Sequence, residues 1–157
     1  MLFKQLNRDE AEKIYVSGQN IAAETMTAGV FVCYDHRNST SFGNAFVKPT
    51  TSTVPLFAGI LAGRDIDTFT DLPQNSYGLV QVAGVANSVA FNVGAASLSA
   101  AGQYLIPVAG QYSGQTNQVS GVGLDWISQN YFINMGVKII NNDIASDGWT
   151  QGIVHAL

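Results

Sequence analysis

The sequence predicts an all-β fold: a small barrel or sandwich of short antiparallel strands with long loops and at most one short helix. Three observations predict it. Apolar residues recur with a period of two in several segments, glycine-rich turns separate those segments, and no stretch carries a long helical pattern. We expect the 157 residues to form a single β domain, with 1–13 as an N-terminal arm and 111–157 as a C-terminal extension.

The first half of the chain predicts two strands with turns around them. VSGQN (16–20) and ETMTAG (24–29) predict turns flanking a short strand, because glycine, asparagine and serine favour chain reversals. GVFVCYD (29–35) and VPLFAGIL (54–61) predict strands from their β-branched and aromatic content. The polar segment RDIDTFTDLPQN (64–75) predicts a long surface connection.

The middle of the chain predicts a β-hairpin. In YGLVQVAG (77–84), successive side chains alternate between the two faces of a strand. SVAFNV (88–93) alternates in the same way, with valine and phenylalanine on one face and serine, alanine and asparagine on the other. Gly84 to Asn87 predicts the turn that joins the two strands.

The last third predicts fewer elements. QYLIPVAG (103–110) predicts a strand in which Pro107 cannot donate a ladder hydrogen bond, so this strand lies at an edge or Pro107 lies at a bulge. YFINMGVKII (131–140) alternates as a strand does, whereas residues 122–135 fit a helix or a strand equally well. The tail, 141–157, is rich in turn residues and ends in an apolar patch.

Charged residues are scarce. They make up 11% of the chain, against about 25% in typical soluble domains, and the net charge is −4. No lysine or arginine occurs between Arg64 and Lys138, which argues against nucleic-acid binding, because that binding draws on basic side chains at phosphates. A neutral polar surface suits one that neighbouring proteins cover, since buried charges must be paired.

No catalytic or metal-binding constellation is evident in the sequence. Cys33 and His36 could form a nucleophilic pair, but along a strand their side chains point to opposite faces. Asp65, Asp67 and Asp71 lack the further ligands of a calcium loop. Nucleotide-binding and serine-hydrolase motifs are also absent. We therefore expect a protein that is not an enzyme and that needs no cofactor or metal.

Targeting signals are equally scarce. The N-terminal residues contain no apolar run of a signal peptide, and no stretch approaches the roughly 20 apolar residues of a membrane span. The single cysteine, Cys33, rules out an intrachain disulfide and fits folding in a reducing cytoplasm. We expect no membrane partner.

Aromatic residues in neutral loops are the candidates for binding. Trp126, Trp149 and Tyr112 could stack on a sugar, lie in a protein interface, where tryptophan and tyrosine are enriched, or pack in the core. We expect the arm 1–7 to become ordered against a neighbouring subunit. The predicted interface residues are Leu2, Phe3, Tyr112, Trp126 and Trp149.

Three blocks, which together span roughly residues 14–110, resemble the capsid decoration or cement proteins of tailed phages. VSGQNIAAETMTAGVFVCYD (16–35) resembles their opening strand, asparagine turn and second strand. VPLFAGIL (54–61) with SYGLVQVAGVANSVAF (76–91) resembles their Phe-Ala-Gly strand and the segment that follows. VGAASLSAAGQYLIPVAG (93–110) resembles their segment that ends in a Leu-x-Pro strand.

This resemblance implies a non-enzymatic virion protein on the outer surface of a phage capsid, made in the host cytoplasm. Its partners would be the major capsid protein and further copies of itself, with a homotrimer favoured, and it would stabilise the shell by bridging neighbouring subunits. Two alternatives stay open: another virion component such as a tail or fibre knob, and a carbohydrate-binding module.

Overall fold

The computed structural model describes residues 13–35, 44–64, 70–92, 104–116, 136–140 and 148–156, which contain nine strands and one 3-10 helix. The 3-10 helix is Val54–Leu56, and these residues contain no α-helix. The strands belong to one sheet, so the all-β prediction is confirmed. They are β1 Ile14–Asn20, β2 Phe31–Tyr34, β3 Ala45–Val47, β4 Phe57–Gly63, β5 Tyr77–Phe91, β6 Tyr104–Pro107, β7 Gly114–Thr116, β8 Gly136–Ile139 and β9 Gly148–His155.

The first five strands close into a ring, here called the first ring. The first half of β5 pairs antiparallel with β1 on one side and with β4 on the other. β4 also pairs antiparallel with β2, and β2 pairs antiparallel with β3. A short parallel contact, Gln19 opposite Ala45 and Asn20 opposite Phe46, joins β3 back to β1. Closure satisfies strand edges that would otherwise lie open.

The second half of β5 and the last four strands close a second ring. Residues 83–91 of β5 pair antiparallel with β9, which pairs with β8. β8 pairs with β6, and β6 pairs with β7. The closing contact is again parallel and short, with Phe91 of β5 opposite Gly114 of β7. The amide of Asn92 donates to the Gly114 carbonyl over 3.0 Å and reinforces this contact.

β5 runs through both rings as one strand of 15 residues, so the predicted hairpin is wrong. Gly84 has a φ of 93°, a left-handed conformation that glycine adopts without steric cost and that bends the strand. A bulge between Ala86 and Val89 shifts the register against β9. The turn residues at 84–87 therefore redirect the strand without reversing it.

Two further segments that we expected to be turns are strands. VSGQN lies within β1, which pairs with β5 from Ile14 to Gln19. Within the tail, β9 pairs with β5 along the second ring, although its sequence is rich in glycine and polar residues. Long-range pairing with β5 outweighs the local turn preference in both segments.

The other sequence-based strands lie close to their predicted positions. β2 lies inside the predicted segment 29–35, and β4 begins at Phe57 because Pro55 and its neighbours form the 3-10 helix. β6 is neither an edge strand nor bulged at Pro107, since it pairs with β7 and with β8. Pro107 is its last residue, beyond the two pairs made with β8. The open choice at 122–135 lies outside the described residues.

Two buried clusters fill the molecule. The first-ring core comprises Met26, Val30, Val32, Phe46, Ala58, Leu61, Leu72, Val80 and Ala90. The second cluster, here called the joint core, lies inside the second ring but also takes in side chains of β2 and β4. It comprises Phe31, Phe57, Ile60, Val82, Ala86, Val89, Phe91, Leu105, Val137, Ile139, Val154 and Ala156.

The joint core packs the two rings against each other. All seven residues of β4 are buried, because one face of that strand lines the first ring and the other meets the second. The rings of Phe31 and Phe57 lie 5.5 Å apart in the joint core. At Gly114 a side-chain Cβ would collide with the Phe31 ring, so the glycine lets β7 approach β2.

Asn20 ties together three segments at the end of the first ring. Its side chain is fully buried and donates to the carbonyls of Glu24 (3.0 Å) and Leu72 (2.9 Å). Its Oδ1 accepts from the amide of Ala22 over 2.9 Å. Because buried polar groups are costly unless they are paired, this one residue fixes the end of β1 to the turn that follows it and to the segment before β5.

Candidate protein interface

β9 alternates strictly between a buried and an outward face. Thr150, Gly152 and Val154 are buried. Trp149, Gln151, Ile153 and His155 take the intervening positions, and their side chains point outward. A one-sided antiparallel strand normally carries polar residues on its water-facing side, yet here the outward positions include a tryptophan and an isoleucine.

Neighbouring strands extend this outward surface. Ile153 lies opposite Val85 of β5 and opposite Lys138 of β8, which in turn lies opposite Tyr104 of β6. Residues directly opposite each other in a sheet share a face, so these four form one row across four strands. We call the whole surface the outer β9 face: Val85, Tyr104, Ile106, Lys138, Ile140, Trp149, Gln151, Ile153 and His155.

The outer β9 face is nearly uncharged. Lys138 is the only lysine or arginine among its nine residues, and none of the nine is acidic. The imidazole ring of His155 lies 6.4 Å from the Tyr104 ring. Trp149 and Ile140 are its most open apolar side chains, with exposed fractions of 54% and 42%. The surface therefore combines apolar area with a single cation.

The indole ring of Trp149 packs against the backbone at Gly29. It lies opposite Ala90 of β5, and a Cβ atom added at Gly29 would come within 2.6 Å of the tryptophan ring and 2.9 Å of the Ser88 carbonyl. Gly29 has a φ of 89°, which side-chain-bearing residues rarely adopt. One side of the indole is thus supported by backbone, while more than half of the side chain stays exposed.

Tyr112 is more buried than Trp149. It is half-buried against the first-ring core, and the ammonium group of Lys48 lies 4.7 Å from its ring centroid. Lys48 also pairs with Glu24 over 3.7 Å. The Tyr112 hydroxyl is buried, and the Glu24 carboxylate is its polar neighbour. Burial, and then the neighbouring Glu24 carboxylate, raise the pKa of this hydroxyl.

The other three predicted interface residues, Leu2, Phe3 and Trp126, lie outside the described residues. The sequence interpretation missed most of the outer β9 face and also Tyr77, which is 65% exposed at the start of β5. The alternation in GWTQGIVH was the available signal. It was weak because two of the inward positions, Thr150 and Gly152, are not strongly apolar.

The chemistry of Cys33 is that of a structural thiol. Its side chain is fully buried in β2, and burial raises the pKa of the thiol from 9.0 to about 12, although a hydrogen bond with Thr53 lowers it in part. The thiol is therefore protonated at neutral pH and is a poor nucleophile. His36, its candidate partner, lies outside the described residues.

Of the three aspartates considered for a cation site, Asp71 lies among the described residues. Asp65 and Asp67 are outside the described residues, and Asp71 accepts a hydrogen bond from the Ala28 amide over 3.4 Å. In the described ranges, no three His, Cys, Asp or Glu side chains are placed to hold a metal ion. The same ranges contain no helix that is long and apolar enough to cross a bilayer.

Comparisons with known proteins return one solved structure. No protein-family model and no curated protein matches the chain. The structure is the head fiber gp8.5 N base of bacteriophage phi29, which is 8% identical with a TM-score of 0.44. The alignment covers 92% of this chain and 96% of that chain. At this TM-score the likeness does not establish a shared fold, and it carries no functional assignment.

Proposed function

We propose that this chain is a structural protein of a phage virion, which binds the outer surface of the capsid and stabilises the shell by bridging neighbouring subunits. The observation that carries the proposal is the outer β9 face, a partly exposed, nearly uncharged sheet surface with apolar side chains at its outward positions. Surfaces of this composition mark sites of protein contact. The resemblance of residues 14–110 to capsid decoration proteins points to the same role.

The scarcity of charge supports a lattice role on physical grounds. A protein that is clamped between subunits loses water from a large part of its surface, and each unpaired charge in that part would oppose binding. Only 11% of this chain is charged. Neutral side chains such as Gln151 can be covered at much lower cost.

Bridging lowers the affinity that each contact must supply. Once one contact with the shell has formed, the next is intramolecular and benefits from a high effective concentration. Binding only to the assembled shell then favours that form by mass action. We propose the major capsid protein as the partner, a homotrimer as the bound form and the N-terminal arm, with Leu2 and Phe3, as a second point of contact.

The direct test is binding to expanded, undecorated capsids. We expect the purified protein to cosediment with them and to saturate at a fixed number of copies per shell. Unexpanded shells provide the matched control, because a clamp for the mature lattice should bind them more weakly. No cosedimentation at saturating protein concentration rejects the capsid role.

The position on the virion can be tested separately. We expect gold-labelled antibodies against the chain to decorate the heads of intact virions in electron micrographs. Label confined to tails or fibres would support the alternative virion role, a tail or fibre knob, and would reject the capsid surface.

A carbohydrate-binding module is favoured by one observation, the open indole of Trp149. Tyr112 adds less to such a site, because Lys48 lies over its ring. A glycan array separates this function from the first one. A sugar that binds the wild-type protein and is lost in Trp149→Ala would support it, and a blank array rejects it.

A further inference from the structure

The outer β9 face has the character of a docking surface. Six of its nine residues are apolar or aromatic: Val85, Tyr104, Ile106, Ile140, Trp149 and Ile153. They lie on a sheet face whose opposite side fills the joint core. Ile140 and Trp149 are exposed there, and the other four are half-buried. Because both rings are closed, the edges of these strands are already paired. A partner would therefore bind the face of the sheet and would not add a strand to its edge.

The size of the face bears on which partner fits it. Four strands span three spacings of about 4.8 Å, and Trp149 to His155 spans six steps of about 3.4 Å, which gives an area on the order of 300 Å². A stable pairwise interface buries about 800 Å² on each partner. A flat area of this size is small beside the accessible surface that such an interface buries, and it fits one contact among several on a larger assembly.

Charge argues against a second copy of this chain as the occupant. In a twofold pair, each copy would present the same face to the other. Lys138 would then be covered by a surface that has no carboxylate, which leaves its charge unpaired and dehydrated. A partner that fits must offer an apolar patch with an acidic side chain opposite Lys138.

We infer that the outer β9 face is the surface by which this chain docks on a shell subunit, a different protein that presents an apolar patch with a carboxylate facing Lys138. The inference rests on the proposed capsid role and adds the face, the residues and the chemistry of the partner. Trp149 and Ile153 provide the apolar contacts. Lys138 fixes the alignment of the two surfaces by pairing with the carboxylate of the partner.

The test compares single substitutions in the binding of full-length protein to expanded, undecorated shells. We expect Trp149→Ala to raise the apparent Kd at least tenfold. Tyr77→Ala is the matched control, because it removes a similarly exposed aromatic side chain from the start of β5, outside the face, and should change the Kd less than twofold. Urea unfolding of each variant establishes that it is folded.

Lys138 tests the charge of the partner. Lys138→Gln should weaken binding several-fold, and Lys138→Glu should weaken it more, because it sets two carboxylates against each other. Tighter binding by Lys138→Glu would overturn the acidic partner. Sedimentation velocity of the free variants tests the second-copy alternative, and a change in oligomeric state with unchanged shell binding would overturn the inference.

The two proposals fail in different ways. Wild-type protein that does not bind the shells removes the capsid role and, with it, this docking assignment. Wild-type protein that binds, with folded Trp149→Ala and Ile153→Thr variants that bind equally well, leaves the capsid role in place and overturns the outer β9 face as the docking surface.

Discussion

The two rings share β5 and the same kind of short parallel closure, but they differ in what they bury and what they expose. In the first ring, a buried asparagine satisfies three backbone groups in two segments, and one face of β4 lines the core. In the second ring, the closing contact is a single residue pair, and the outward side of β9 carries tryptophan and isoleucine. The first ring has buried hydrogen bonds that hold its segments together, whereas the second ring presents the apolar surface.

The difference indicates that separate residues of one sheet serve stability and binding. Outward apolar residues contribute less to the stability of a monomer than core residues do, because folding leaves part of their surface in water. Residues that face the joint core are different, because they hold the second ring against β2 and β4. The substitutions below, in order of decreasing expected effect, test whether the rings act as one unit and where stability and binding separate.

Phe31→Ala should have the largest effect, because the joint core connects the rings. Phe31 is fully buried, stacks near Phe57 and lies where β7 closes the second ring. Truncation of such a ring costs about 3 to 5 kcal/mol of unfolding free energy. We expect urea unfolding followed by far-ultraviolet circular dichroism and by tryptophan fluorescence to show one coincident transition at a lower midpoint.

Gln151→Ala is the control for this experiment, since its side chain is exposed on β9 and its loss should cost less than about 0.5 kcal/mol. Two separated transitions in Phe31→Ala would show that the rings unfold independently and would remove the joint core as their connection.

Asn20→Ala should cost less, about 2 kcal/mol, and should act on the first ring. The substitution leaves two carbonyls and one amide without their buried partner. Gln19→Ala is matched in position, but the Gln19 amide donates to the exposed Asn75 carbonyl, so the effect should be below about 0.5 kcal/mol. Chemical denaturation measures both, and equal losses would show that Asn20 does not brace the ring.

Alkaline stability should depend on Cys33. Its pKa is raised from 9.0 to about 12 in the fold, so the folded state holds the thiol proton more tightly than the unfolded chain does. The corresponding stabilisation is complete below pH 9 and is lost as the pH rises from 9 towards 12. Tyr112 and Tyr34, whose pKa values are also raised by burial, add to the same loss.

Cys33→Ala should therefore flatten the decline of unfolding free energy above pH 9 relative to wild type. Thermal unfolding between pH 7 and pH 10.5 measures this, with Tyr34→Phe as a second variant for the tyrosine contribution. An unchanged slope in Cys33→Ala would mean that the thiol titrates alike in both states.

Lys48→Met should have the smallest effect, about 0.5 to 1 kcal/mol, because it removes one exposed ion pair and one cation–π contact. The methionine keeps most of the apolar stem over Tyr112. Raising the salt concentration to 1 M should shrink the difference from wild type, and a loss that is independent of salt would assign it to packing.

The sequence was sufficient for the fold class but not for the path of the chain. β-Branched, aromatic and apolar content identified the segments of β2 and β4. Period-two alternation identified those of β5, β6 and β8, because it reflects one buried and one outward face. The residues at 84–87 carried an ordinary turn signal. Whether a strand reverses there depends on a partner far along the sequence, since β9 supplies the pairing that keeps β5 extended.

The candidate interface shows the same limit. Trp149 was identified as an interface residue from its type alone, whereas Ile153 and Val85 could not be, because isoleucine and valine in a β protein are normally core residues. Only the register places them opposite each other on the outward side. Exposure is thus a property of pairing, and pairing between residues almost 70 positions apart leaves no local trace.

Ala83 lies opposite both Ile14 of β1 and His155 of β9. β1 therefore starts, and β9 finishes, one strand away from the same alanine, which places the two positions about 10 Å apart. A short glycine–serine linker of a few residues could span that gap, so His155 could be ligated to Ile14. A protein of this plan should accept circular permutation there, with new ends opened at a connecting loop and both rings kept whole.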